Sequence, residues 1–592
     1  MAWRGHFHLV LWTAWWIGID CVSIFREGHM SAMRILFIYP NLYTQMGFNH
    51  GLAALSAVLK EAGHETRLVN LNENLPPVPD YDDIYEEIQS WHPALIGFST
   101  LTMQYAEALR IATHLRARAE REGVTLPPLV IGGIHPTMVP IDVMSDGAWD
   151  HVGVGECEDS LLELVRRVGE GEHPDDVSNF LSWKGGIRPT AADQAPVNSK
   201  LWEHNPVGEF PDFSKLPFPD YSLFDTQRIL EQKHGWFGLM TSRGCPYRCT
   251  YCLNHRIVDR YREELGRPVK KLGFFRYRTP EQMIEEIQHV LANYEGVGTF
   301  ILDDDLFTMN FEHAMAFAKA YRESGIDVPW VVNSHVQRLD PRLAKALAEG
   351  GCRILKLGIE SGSHRVRHEV LKRFMSDEDI LATVSTAEAH GLHTSGFLMV
   401  GLPGESHAER LESVDLLARS ELGRFRTSLF YPFPGTESHT LAVEGGYIDA
   451  KAAGSLTDFT ETSCLDFGDE ENLFIEKLAA CMPWFVNARM ADFKPAPVSA
   501  RYRPLVAELL AMDREAWEEF KPRIREVDLE ISSQASAALE LHYAIRFNAF
   551  MGVRSDYYLA EEVGIEWATA AAKPVPDRLR ELALAAAAGE VC

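Results

Sequence analysis

Short apolar runs recur along this chain at intervals that leave room for one amphipathic helix between neighbours. The first, residues 34–40, is an Ile, Leu and Phe run stopped by Pro40, the pattern of a strand buried on both faces. Asn49 can cap the helix that follows, whose residues Leu52, Leu55, Val58 and Leu59 keep one face until Gly63 ends it. Further apolar runs at 67–71, 94–98, 129–131 and 151–154, with a helical stretch over 104–122, continue the alternation. Strands alternating with helices predict an α/β unit, a Rossmann-like doubly wound parallel sheet, over residues 33–169. Ligands of such sheets bind beyond the carboxyl ends of the strands. Those ends carry Ser99-Thr100-Leu101-Thr102, Gly132-Gly133 and Gly153-Val154-Gly155-Glu156.

A second alternation starts at Trp236. Runs at 236–241, 299–303, 329–333, 354–360, 394–401 and 427–431 are separated by amphipathic stretches such as 280–294 and 311–324. Six strands with intervening helices predict an open, partial (β/α)6 barrel over 236–440, with functional residues at the strand carboxyl ends. Residues 170–235 are rich in Pro, Gly, Asp and Ser and read as a linker. Beyond 441 the pattern turns helical, at 472–488, 502–512, 516–520, 531–550 and an Ala-rich tail over 574–590. Pro483 should kink the first of these helices, and the 441–592 region as a whole should cap the barrel and shape a substrate pocket.

Composition narrows the function classes. A chain of 592 residues suits three or four domains, and a net charge of -27 excludes a general nucleic-acid partner, which needs a basic face. The apolar stretch 9–19 is too short to span a bilayer and Asp20 interrupts it, so no membrane association is expected. Met30 and Met33 precede the first strand, and residues 1–32 read as an over-called, unstructured start of a cytoplasmic protein.

The chemistry centres on Cys245-Pro246-Tyr247-Arg248-Cys249-Thr250-Tyr251-Cys252, just after the first barrel strand. Three thiolates in a CxxxCxxC spacing can hold a [4Fe–4S] cube and leave one iron open. A disulfide, or a zinc site completed by a distant histidine, would use the same residue types. The trio resembles the signature of the radical S-adenosylmethionine (SAM) superfamily, in which SAM occupies the open iron. Other strand ends resemble the SAM-binding motifs of that superfamily. The resemblance implies Asp303 and Asp304 at the methionine amino group, Glu360 with Asn333 and Ser334 at the ribose, and the backbone around Gly401 beside the adenine. In Asp303-Asp304-Asp305, three adjacent carboxylates would repel if all were buried, and Asp305 reads best as a solvated turn residue.

Placed before such a barrel, the small-residue loops of the first unit resemble the cobalamin-binding domain of B12-dependent radical SAM proteins. That implies Ser99, Leu101, Gly132, Gly133, Gly155 and Glu156 as cofactor contacts. The DxHxxG motif of classical B12 domains is absent. Only His50 stands in the corresponding loop, so no protein histidine is expected below cobalt. The joint resemblance implies a methyltransferase. A radical made from one SAM opens an unactivated position, methylcobalamin delivers the methyl group, and a second SAM restores it. A small-molecule substrate and an external one-electron reductant such as flavodoxin or ferredoxin are implied with it. The region around 356–405 is similar to enzymes of phosphonate and phosphinate (phosphinothricin-type) antibiotic assembly, which implies a carbon or a phosphinate phosphorus as methyl acceptor. A Mg-protoporphyrin ester oxidative cyclase shares the layout, and a non-enzymatic corrinoid sensor is the alternative outside enzymes.

Overall fold

The computed structural model describes residues 32–42, 46–186, 188, 201–449, 463–546, 550–563, 573 and 575–588. Of residues 1–32, expected as an unstructured start, 1–31 lie outside that set. Among the described residues no helix is long and apolar enough to cross a membrane.

The first unit is a seven-stranded sheet in the order β2-β1-β3-β4-β5-β6-β7. Its parallel strands are β1 (Arg34–Tyr39), β2 (Glu65–Asn70), β3 (Leu95–Ser99), β4 (Leu129–Gly132) and β5 (His151–Gly153). In β1, Ile35 and Phe37 pack into one core and Leu36 and Ile38 into another, so the unbroken apolar run reflects burial on both faces. Asn49 caps the helix His50–Glu61 by accepting from Leu52 N–H at 3.0 Å.

Residues 170–235, expected as a linker, extend this sheet. β6 (Phe180–Trp183) and β7 (Trp202–His204) add antiparallel strands beyond β5. Every residue of β6 is buried. A strand of four residues inside a Pro- and Gly-rich stretch leaves too little periodicity to stand out against its composition.

The second unit is an eight-stranded open sheet in the order β16-β17-β15-β14-β13-β12-β11-β8. Six parallel strands follow chain order: β8 (Trp236–Leu239), β11 (Thr299–Leu302), β12 (Trp330–Ser334), β13 (Cys352–Glu360), β14 (His393–Val400) and β15 (Arg424–Leu429). These are the expected partial barrel. Between β8 and β11, β9 (Ser242–Arg243) and β10 (Arg276–Tyr277) pair as a small antiparallel ribbon.

The C-terminal region is mainly helical, and Pro483 sits inside the helix Asp469–Arg489 with the break at Cys481 (φ -119°, ψ 20°). It also supplies strands. β16 (Tyr543–Ile545) and β17 (Met551–Arg554) form a hairpin that pairs antiparallel with β15 and covers that barrel edge. The expected helix over 531–550 ends instead at Ala537.

Arg554 locks the hairpin to the barrel. Its guanidinium is buried and donates to Asp556 Oδ1 at 2.7 Å and to Glu388 Oε2 at 3.2 Å. Removing one partner from a buried ion network leaves uncompensated charge, at a cost of roughly 3–5 kcal/mol. Arg554→Met should therefore lower the guanidinium-unfolding free energy of the barrel by that order. A loss below about 1 kcal/mol, the range of an ordinary surface change, would contradict the assigned role.

Candidate active site

After β8 the chain turns at Gly244 (φ 103°) into the cysteine loop, and a Cβ there would lie 2.5 Å from the Phe274 carbonyl oxygen. Asp304, just beyond β11, holds the turn. Its buried carboxylate accepts the N–H and hydroxyl of Thr241, both at 2.6 Å, and the N–H and hydroxyl of Ser242 at 2.9 and 2.6 Å. Cys245, Cys249 and Cys252 then line one cavity of 230 Å³ at the carboxyl ends of the barrel strands. None is in a disulfide. Burial pushes the Cys245 thiol up to about 11 and Cys252 up to about 12, so a bound metal would have to displace their protons. Among the described residues no three His, Cys, Asp or Glu side chains converge to hold a single metal ion. Thiols spread around a shared cavity suit the separate corners of a cluster better than one zinc.

Glu360, Arg373 and His335 also line this cavity. A bulge in β13 between Gly358 and Glu360, with Glu360 at φ 71°, turns the Glu360 carboxylate inward, where Tyr251 Oη donates to it at 3.0 Å. Burial raises the Glu360 pKa, opposed by the nearby Arg373 charge. Arg373 donates through Nε to the Gly358 carbonyl at 3.0 Å, and its Nη1 stands 3.5 Å from Cys249 Sγ. His335 stacks on Tyr247, with ring centroids 4.2 Å apart and planes within 10°. Its Nδ1 accepts from Gln337 N–H at 3.2 Å, so Nε2 carries the proton, and that buried donor has no partner. Burial first, then the Arg373 and Arg338 charges, hold the His335 pKa down near 3, so the ring is neutral.

A second cavity, of 530 Å³ and with mainly apolar walls, lies between the first sheet and the cysteine loop. It opens where the strand order reverses between β1 and β3, the switch point at which doubly wound sheets bind ligands. Ser99, Thr100, Leu101 and Gly132 line it. A Cβ on Gly132 would meet nothing within 4 Å, so this position opens onto free space, and the buried Thr100 hydroxyl beside it has no partner. Asn254 and Asp305 line both cavities. The Asn254 side chain and the Gly244 N–H hold the Asp305 carboxylate, whose pKa burial raises.

Residues 43–165 match the B12 binding domain family and residues 239–417 match the Radical SAM superfamily, together just over half of the chain. The chain belongs to the cobalamin-dependent radical SAM family. It is 26% identical over 424 residues to an uncharacterized methyltransferase of Pyrococcus horikoshii, covering 70% of this chain and 84% of that one. It is 25% identical over 442 residues to the cytidylyl-2-hydroxyethylphosphonate methyltransferase of Streptomyces wedmorensis, covering 67% and 78%. Its fold is similar to the cobalamin-dependent SAM radical enzyme OxsB solved with aqua-cobalamin and SAM bound. The TM-score is 0.59 at 13% identity, over 86% of this chain and 75% of that one. The family's cofactors are a [4Fe–4S] cluster, SAM and cobalamin.

Both cavities fit these groups, the first by its thiols, its buried guanidinium and its orphaned donor, the second by its open glycine and orphaned hydroxyl. The residues expected from sequence divide between them. Asn333, Ser334 and Glu360 line the cluster cavity, and Ser99, Leu101, Gly132, Gly133, Gly155 and Glu156 line the other. Several have a different task from the one expected. Gly133 (φ 100°) is required by the backbone, because a Cβ would fall 2.7 Å from the Thr100 N and O atoms. Gly155 makes room for Tyr261, whose hydroxyl would lie 2.4 Å from a Cβ there. Glu156 is engaged by Arg243 and Arg276, both contacts at 2.5 Å. Burial would raise its pKa, but the two arginines hold it below the ordinary carboxylate value.

The aspartate triplet is redistributed as well. Asp304 is fully occupied by the loop, and Asp303 turns toward His50 at 3.5 Å. Asp305, expected as a solvated turn residue, is exposed and is also the carboxylate of the three that lines the cavities. Gly401 lines neither cavity. Its N–H donates to Glu405 at 3.1 Å, and a Cβ would approach Ile475. Arg373 and Asn254 were not expected as site residues, whereas Thr100 stands among the hydroxyls of residues 99–102 and His335 among the residues after the third barrel strand, with no role assigned from sequence.

Two substitutions test these assignments. Asp304→Asn should lower iron and sulfide content after reconstitution, because an amide cannot accept all four bonds that shape the cysteine loop. Asp303→Asn should leave the content unchanged, and the reverse order would refute the assignment. Gly132→Phe should weaken corrinoid binding while leaving thermal unfolding intact, whereas Gly133→Ala should lower the unfolding temperature. Equal corrinoid binding by Gly132→Phe and the parent protein would exclude Gly132 from the cradle.

Proposed function

We propose that this protein methylates a small molecule, at an unactivated carbon or at a phosphinate phosphorus, within phosphonate or phosphinate antibiotic assembly. The observation that carries this reading is the wall shared by the two cavities, in which Asn254 and Asp305 border both. A substrate there can meet both cofactors without leaving the protein. The match to a phosphonate methyltransferase supports the finer assignment.

SAM at the reduced cluster supplies a radical that removes hydrogen from the substrate, and cobalamin supplies the methyl group. The chain's own residues bind and orient. Cys245, Cys249 and Cys252 are the three protein ligands of the cluster. Arg373, buried beside Cys249, offers its guanidinium to the methionyl carboxylate of SAM. Glu360, with Asn333 and Ser334 across the cavity, accepts from the ribose hydroxyls, and His335 Nε2–H donates to the same ligand. Ser99, Thr100, Leu101 and Gly132 form the corrin cradle. The apolar walls keep water from the substrate radical. An external one-electron carrier such as flavodoxin or ferredoxin reduces the cluster, and a cytoplasmic setting suits that requirement.

Methyl transfer uses one SAM as radical source and another as methyl donor. Each methylated product should therefore appear with about one 5′-deoxyadenosine and about one S-adenosylhomocysteine. The measurement is a time course of both coproducts with a P–H phosphinate and with phosphonate substrates, using SAM deuterated in its methyl group. Labelled product in step with both coproducts is the expected result. Unlabelled product, or turnover without S-adenosylhomocysteine, would refute methyl transfer and favour the oxidative cyclase. Absence of any SAM cleavage in the reduced protein would favour a sensor.

A further inference from the structure

Three residues that line the cavity beside the first sheet each carry a buried side-chain atom with no hydrogen-bond partner among the described residues: His50 Nδ1, Thr100 Oγ1 and Glu158 Oε2. They come from separate segments, the start of the helix His50–Glu61, the residue just beyond β3 and the start of the helix Glu158–Glu170. Thr100 is 1% exposed and Glu158 4%, so bulk water does not serve them. The other Glu158 oxygen, Oε1, accepts from Arg243 at 2.6 Å, so this carboxylate is ion-paired at one end only. His50 is oriented from the barrel. Its Nε2 lies 3.5 Å from Asp303 Oδ2, which places the proton on Nε2 and leaves Nδ1 an acceptor.

This set is rich in acceptors and includes an anionic oxygen. Arg243 is the one Lys or Arg side chain on the cavity wall, and it is committed to Glu156 and Glu158. A ligand suits such a wall when it presents N–H donors and brings no negative charge. A buried acceptor left unmade costs about 1–3 kcal/mol, and a further carboxylate beside Glu158 would add repulsion. Primary amides meet both conditions, and carboxylates meet neither. Corrinoids exist in both forms: the rim of cobalamin carries neutral amides where corrinoid acids carry carboxylates.

We infer that Glu158, with His50 and Thr100, binds the amide side chains on the corrin rim and so selects amidated corrinoids over corrinoid acids. The inference rests on the reading of this cavity as the corrin cradle. It does not depend on methyl transfer or on the identity of the substrate.

The test is a binding titration of the full chain, with the cluster reconstituted and cobalamin omitted, followed by quenching of tryptophan fluorescence. The probes are cobalamin, cobinamide, which keeps the amides but lacks the nucleotide, and cobyrinic acid, the same ring bearing carboxylates. Cobinamide should bind at least about tenfold more tightly than cobyrinic acid. Glu158→Gln keeps an acceptor for Arg243 and turns the unpartnered oxygen into a donor. It should weaken cobinamide and tighten cobyrinic acid, narrowing their ratio by about tenfold. General repulsion from a chain of net charge -27 would leave that ratio almost unmoved, because one charge among so many changes a screened field little. Thr100→Val and His50→Leu should each weaken cobinamide by roughly two- to tenfold, with cluster absorption and unfolding temperature unchanged. Equal binding of cobinamide and cobyrinic acid by the parent protein would overturn the inference. So would a Glu158→Gln protein that weakens both ligands equally, the mark of a structural role alone. Should Glu158→Gln fail to fold, the parent ratio and the two other variants decide, and unchanged cobinamide affinity in both would overturn the inference. Failure of cobalamin itself to bind would overturn the cradle reading as well, whereas binding without discrimination overturns this inference alone.

Discussion

The architecture depends on a buried ion network that sets the carboxyl ends of two sheets face to face. Arg243, two residues before Cys245, donates to Glu156 at 2.5 Å and to Glu158 at 2.6 Å, and Arg276 from the neighbouring strand donates to Glu156 as well. Glu156 and Glu158 lie just beyond β5, so the ribbon leading into the cysteine loop is fastened to the end of the first sheet. Tyr261 reinforces the joint by packing against Gly155 and stacking on Phe210 at 3.8 Å. Buried ion pairs gain little net stability over well-packed apolar contacts, but they strongly penalise misalignment, because a displaced partner leaves bare charge. What the network fixes is the relative position of the two cavities.

The remaining features of the site follow from that placement. Once Arg243 is fixed, Asp304 shapes the next turn through four hydrogen bonds, and the three cysteines fall around one cavity. Strain marks the rim, where the β13 bulge and the positive φ of Glu360 bring a carboxylate and Arg373 together beside Cys249. Neither conformation favours the strand for its own sake. Both are retained where a ligand would gain from them, while the barrel below is an ordinary close-packed core.

The six barrel strands and the five parallel strands of the first sheet were legible because each is a short apolar run flanked by an amphipathic helix. The cysteine trio was legible because its spacing alone carries the chemistry. The strands β6, β16 and β17 were not, being three or four residues long and set within Pro-rich or helix-like composition. The roles of Arg373 and His335 could not be assigned from sequence for a different reason. Each gains its role from a contact more than eighty residues away, with Cys249 and with Tyr247, and sequence pattern holds no trace of such pairings. The aspartate triplet shows the same limit within one motif. Composition could not tell which carboxylate holds the loop, which meets His50 and which faces the cavities.

The central claim is that one wall, built from Asn254 and Asp305, separates the site of the cluster from the site of cobalt. The most direct measurement is electron paramagnetic resonance of the reconstituted protein carrying both a reduced [4Fe–4S] cluster and Co(II) cobalamin. Spin–spin broadening of both signals, absent when either cofactor is omitted, is the predicted result. Two unperturbed spectra that simply add would contradict the shared wall.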